Sequence, residues 1–101
     1  MARKVFGNGT IIRAKVTFTD PDTHVVLDPS AVSVVVRTPA GASTTYVYGV
    51  DASLVKQGTG VYYVLITLSS VGTWKWKWTG TATQKSIVIY DEVDCEKEAG
   101  F

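Results

Sequence analysis

The chain has 101 residues, 46% of them hydrophobic and 19% charged, with a formal net charge of +1 at neutral pH. A chain of that length folds as one domain with its own core, and the composition excludes a disordered polymer. The near-zero charge removes any global pull toward nucleic acid or a membrane surface, and a single cysteine, Cys95, excludes an internal disulfide framework and a cysteine-built metal site.

The first residues, MARKVFGNGT, have no apolar run of the kind a secretory signal needs, and no stretch approaches the roughly 18 apolar residues of a membrane span. Charge is unevenly placed. Residues 1–90 hold nine Lys or Arg against four acids, whereas DEVDCEKEAGF at 91–101 holds five acids against Lys97. The expected organisation is an N-terminal arm at 1–9, a β-sandwich at 10–90 and an acidic C-terminal tail at 91–101.

Period two dominates the sandwich segment. In TIIRAKVTFT, Ile12, Ala14, Val16 and Phe18 share one side and Arg13, Lys15, Thr17 and Thr19 the other, which predicts a half-buried strand. Asp20-Pro21-Asp22 breaks it. Val32–Thr38 is the next strand, and Pro39–Ala42 is a turn. Ser43–Tyr48 follows as a Thr- and Tyr-rich strand. Asp51–Lys56 lacks both alternation and breakers and is read as one helical turn. Val61–Leu68 is a strand apolar on both sides. Gly72 leads into TWKWKWT, and Lys85–Tyr90 is the last strand. Six strands are clear, with a seventh at Arg3–Phe6 or Val25–Leu27. Short strands spaced by Gly and Pro turns predict an all-β fold, an immunoglobulin-like antiparallel β-sandwich of about seven strands, with a small barrel as the alternative.

Trp74, Trp76 and Trp78 fall on one side of their strand, and Lys75 and Lys77 on the other. With the tryptophans outward, two lysines would be buried unpaired at several kcal/mol each. The inward register is therefore expected, with Trp74, Trp76, Trp78, Phe18 and Tyr62 as core. On the opposite side of Val61–Leu68 lie Val61, Tyr63 and Leu65, a strip expected to contact another protein chain. Arg3, Lys4, Asp91, Glu92 and Phe101 are candidate contacts at the charged ends. Arg13, Lys15, Arg37, Lys75 and Lys77 read as one basic, solvated face.

Catalytic parts are missing. The single histidine, His24, sits in a loop and establishes no triad. Cys95 lies among carboxylates that disfavour its thiolate. Asp20, Asp22 and Asp28 are turn formers before they are calcium ligands, because their spacing is not that of an EF-hand. No catalytic, cofactor or metal residues are assigned.

Taken together, Val16-Thr-Phe-Thr-Asp20, Val36-Arg-Thr-Pro-Ala-Gly41, Tyr46-Val-Tyr-Gly49, Leu54-Val-Lys56, Gly58-Thr-Gly-Val-Tyr62, Gly72-Thr-Trp74 and Trp78-Thr-Gly80 give the chain a family likeness. In that order and spacing it resembles the small immunoglobulin-like virion structural proteins of tailed bacteriophages and prophages. The resemblance implies a β-sandwich without enzymatic activity and transfers no functional residues. The expectation is a capsid decoration or cement protein on the major capsid protein lattice, homo-oligomeric on the virion and made in the host cytoplasm, without nucleic-acid or membrane partners. A neck or tail accessory protein, or a module that binds host-surface glycans through Tyr46, Tyr48 or Tyr63, are the alternatives.

Overall fold

In the computed structural model, residues 4–82 and 85–97 are described. Eight strands run in chain order: β1 (Lys4–Gly7), β2 (Ile11–Thr17), β3 (Ala31–Arg37), β4 (Ser43–Val47), β5 (Leu54–Gly58), β6 (Val61–Thr67), β7 (Gly72–Ala82) and β8 (Lys85–Glu96). They form a five-stranded sheet in the order β1-β8-β7-β3-β4 and a three-stranded sheet in the order β2-β6-β5. The fold is an all-β sandwich. Its strands β3, β7 and β8 lie together opposite β2, β6 and β5. Every pairing is antiparallel except β1 with β8, which is parallel.

The core lies between the sheets. Trp74, Trp76 and Trp78 are buried on the inner side of β7, and Lys75 and Lys77 are exposed on its outer side. Val34 and Val36 of β3 stand opposite Trp78 and Trp76, and Val93 of β8 stands opposite Trp74. The other sheet supplies Ala14, Val16, Tyr62, Val64 and Ile66, with Phe18 just beyond β2. Phe18 meets Trp78 edge to face at a centroid distance of 6.5 Å and Tyr62 at 5.9 Å. Such aromatic pairs add about 0.5–1.5 kcal/mol beyond their area. Gly80 makes room for Phe18, since a Cβ there would lie 2.7 Å from the Phe18 ring.

Indole nitrogens are handled unequally. Trp74 Nε1 donates to the Ser70 carbonyl at 2.9 Å. Trp78 Nε1 is buried and finds no acceptor among the described residues. An orphaned donor of that kind costs about 1–3 kcal/mol. The packing gained by the Trp78 ring, only 1% exposed, outweighs it.

Three expectations are corrected. The last strand does not stop at Tyr90 but runs to Glu96, so 91–96 is strand rather than tail. Val93 and Cys95 continue the inward alternation and bury in the core. Of the two candidates for a seventh strand, the one at Arg3–Phe6 is strand from Lys4 on: Lys4–Gly7, within the segment expected as an arm, pairs with Val93–Glu96. Asp51–Lys56 holds no helical turn: a hydrogen-bonded turn follows β4, and Leu54 then starts an edge strand by burying its side chain. The candidate strand at Val25–Leu27 amounts to one isolated bridge between Thr19 and Val26.

Two stability outcomes follow from this packing. Trp76→Ala lowers unfolding free energy by about 3–5 kcal/mol in urea titration, the size of large aromatic truncations in cores. A chain ending at Tyr90 loses two buried side chains and the pairing partner of β1. Its urea midpoint should fall well below the parent's, Val93 alone contributing roughly 1.5–3 kcal/mol. An unchanged midpoint would show that the end of β8 is dispensable.

Candidate functional site

The sandwich offers two outer sheet faces, and the register dictates what stands on each. On the three-stranded sheet, Arg13 faces Leu65, Lys15 faces Tyr63, Thr17 faces Val61 and Ile11 faces Thr67. Val55 of β5 stands on the other side of Tyr63. Val61, Tyr63 and Leu65 are thus brought together with Ile11 and Val55 in one surface strip. Leu65 is 56% exposed, and Tyr63 is half-buried because the Arg13 guanidinium lies 4.5 Å from its ring centroid. A cation on an exposed ring is worth about 0.5–1 kcal/mol. No ion pair of Arg13 or Lys15 occurs among the described residues.

The five-stranded sheet carries Arg37, Lys75 and Glu92 in one cross-strand row and Val35, Lys77 and Tyr90 in the next. Val35, Arg37, Lys75, Lys77 and Tyr90 line a shallow depression of about 240 Å³. The single basic face expected from the sequence is therefore split. Arg13 and Lys15 stand on one sheet, and Arg37, Lys75 and Lys77 on the other, back to back across the core.

The acidic candidates also divide. Glu92 shares the outer row with Lys75, whereas Asp91 stands opposite Trp76 on the inner side. There it reaches the open seam of the sandwich, beside Phe6, Ile12 and Lys15. Arg3, Phe101 and the Lys4 side chain lie outside the described residues. The three tyrosines considered for glycan binding do not converge. Tyr46 packs against the core, Tyr48 meets Tyr62 edge to face at 5.2 Å, and Tyr63 lies on the opposite sheet.

The loop aspartates are engaged by lysines. Asp20 accepts hydrogen bonds from the backbone amides of Asp22 at 2.8 Å and Thr23 at 3.2 Å, and from Lys85 Nζ. The Lys85 bond, followed by the two amides, lowers the Asp20 pKa from 3.8 to about 2. Asp28 accepts from Lys56 Nζ at 2.8 Å, Tyr62 Oη at 3.1 Å and the Gly60 amide at 3.3 Å. The Lys56 bond first of all holds its carboxyl below the usual range. Sequence reading missed both pairings, because each joins residues far apart in the chain. They fasten the loop between β2 and β3 to β8 and to the β5–β6 hairpin. No cluster of three or more His, Cys, Asp or Glu suited to a metal occurs among the described residues. Burial pushes the Cys95 thiol up, away from the reactive thiolate. His24 is exposed in a turn at φ 61°.

No family model matches the sequence, and no curated protein does. Among solved structures the chain is similar to the endo-β-1,4-mannanase from Thermotoga petrophila, with a TM-score of 0.63 and 11% identity. The match covers 96% of this chain and 18% of that one. At that identity the likeness concerns the sandwich fold alone.

Asp20 yields a test in acid. Its folded pKa lies below its unfolded value, so its stabilisation is complete above pH 3.8 and is lost as pH falls through about 2. Asp20→Asn should lower the melting temperature at neutral pH. The gap to the parent should close as the pH approaches 2, as followed by circular dichroism.

Proposed function

We propose that this chain is a non-enzymatic structural protein of a tailed-bacteriophage virion, a sandwich that decorates the capsid and docks on the major capsid protein lattice through its three-stranded sheet. The observation that carries the reading is the outer strip of Val61, Tyr63, Leu65, Ile11 and Val55, bordered by Arg13 and Lys15. An apolar strip edged by cations without ion partners among the described residues suits a neighbour with an apolar surface and carboxylates at its rim. The family likeness supports the same reading, since its motifs fall on the strand ends and turns that shape the sandwich. Burial of the strip against a lattice would stabilise the shell by mass action, the protein binding the assembled lattice in preference to its separated subunits.

Leu65→Glu places a carboxylate in the centre of the strip without touching the core. The variant should melt within a few degrees of the parent, as surface changes usually do. In competition with the parent during particle assembly it should be under-represented at least about tenfold, the effect of roughly 1.4 kcal/mol. Equal incorporation would refute docking through this face. Counting copies per particle by mass spectrometry separates the locations. Copies on the order of hundreds fit the shell, and about six or twelve fit a neck or tail ring.

A further inference from the structure

We propose that the outer face of the five-stranded sheet pairs two copies of this chain, across a twofold axis that runs along the strands between β7 and β8. This surface lies on the opposite side of the sandwich from the strip assigned to the lattice, so each assignment can fail without the other.

The layout of the face is the reason. Arg37 and Lys75 stand directly opposite one another, and Lys77 follows on the same side of β7. Like charges in that position destabilise a sheet. None of the three forms an ion pair among the described residues. The same face carries acids on β8, where Glu92 stands opposite Lys75 and Asp94 opposite Thr73. Basic and acidic columns therefore lie side by side. Next to them the face is uncharged and partly apolar: Tyr90 is 75% exposed, and Val88 and Val47 are exposed too.

A half-turn about the stated axis lays β7 of one copy over β8 of the other and keeps each cross-strand row in place. Lys75 then meets Glu92 of the second copy, and Glu92 meets its Lys75. Lys77 meets the second Tyr90 ring, a cation on an aromatic face, and that ring enters the depression beside Val35 and Arg37. A surface that supplies both members of each contact is what an isologous dimer requires. Other occupants fit less well. An extended polyanion leaving the basic trio would run into Glu92 and Asp94. A small anion would leave Tyr90 and Val88 uncovered.

The area sets the strength. The axis leaves β4 without a counterpart, so the overlap spans at most four strands spaced about 4.8 Å apart, and with rows over roughly 25 Å it buries at most on the order of 1,000 Å² in total. That is the lower limit of specific interfaces, so the dimer is reversible and sensitive to salt.

Sedimentation velocity on the full chain tests this across a concentration series at low and high salt. The parent should shift from monomer to dimer with concentration, and high salt should weaken the dimer. Lys75→Glu and Glu92→Lys should each weaken dimerisation at least about tenfold, because each creates two like-charge contacts across the axis. Mixed in equal amounts, the two variants should form a heterodimer, since both contacts become attractive again. Circular dichroism melts confirm that each variant is folded, and Tyr90→Ser serves as a charge-neutral variant that should also weaken the dimer. A parent that stays monomeric throughout overturns the proposal, and so does a monomeric parent that instead binds an acidic peptide or a sulfated saccharide. Variants that dimerise like the parent, or folded variants that remain monomeric when mixed, overturn it as well.

Discussion

Burying three indoles from one strand is the constraint on which the rest of this sandwich depends. Trp74, Trp76 and Trp78 can share the interior only if Lys75 and Lys77 share the surface. Each neighbour answers that demand. β3 sets valines opposite two of the rings, β8 sets Val93 opposite the first and Ile89 opposite the last, and the other sheet sends Phe18 to meet Trp78 edge-on, with Tyr62 edge-on to Phe18. A shift of one residue in β7 would reverse every one of these side chains. Interior packing thus dictates what the outer face of the five-stranded sheet presents: two lysines at fixed spacing in its centre, ready for whatever lies across from them.

Loop anchoring follows a different logic. The core has no buried charges among the described residues, and the ion pairs sit at its rim. Lys56 is notable because it occupies an inward position on edge strand β5, opposite Tyr62, and turns to Asp28. An inward lysine and the irregular pairing between Lys56 and Gly58 both discourage another strand from adding to that edge.

Much of the interior was legible in the sequence because alternation is a local signal. Val16, Phe18, Val34, Tyr62 and the tryptophans can be assigned to the inside from their own strands. The end of β8 escaped because Asp91 occupies an inward position between Ile89 and Val93 and interrupts the pattern. The carboxylate is tolerated there because the seam between the sheets is open at that point. β5 escaped because an edge strand with a single buried side chain has almost no period to detect. The faces were half legible. Val61, Tyr63 and Leu65 could be placed together from one strand, whereas separating Arg13 and Lys15 from Arg37, Lys75 and Lys77 required knowing which strands share a sheet. That knowledge depends on long-range pairing, as do the bonds from Asp20 to Lys85 and from Asp28 to Lys56.

The parallel pairing of β1 with the end of β8 has a mechanical consequence. Lys4–Gly7 and Val93–Glu96 run side by side in the same direction, and the Asn8 amide adds a 2.9 Å bond to the Glu96 carbonyl. A force that pulls the two strands apart through their outer ends, Lys4 one way and Glu96 the other, acts along the strands rather than across them. The hydrogen bonds between them are then loaded together in shear instead of opening one after another. Buried Val93 and Cys95 sit at that junction, so sliding it would also drag apolar side chains out of the core. Under tension this corner would act as a clasp, and the sandwich would resist extension through it more than its equilibrium stability alone suggests.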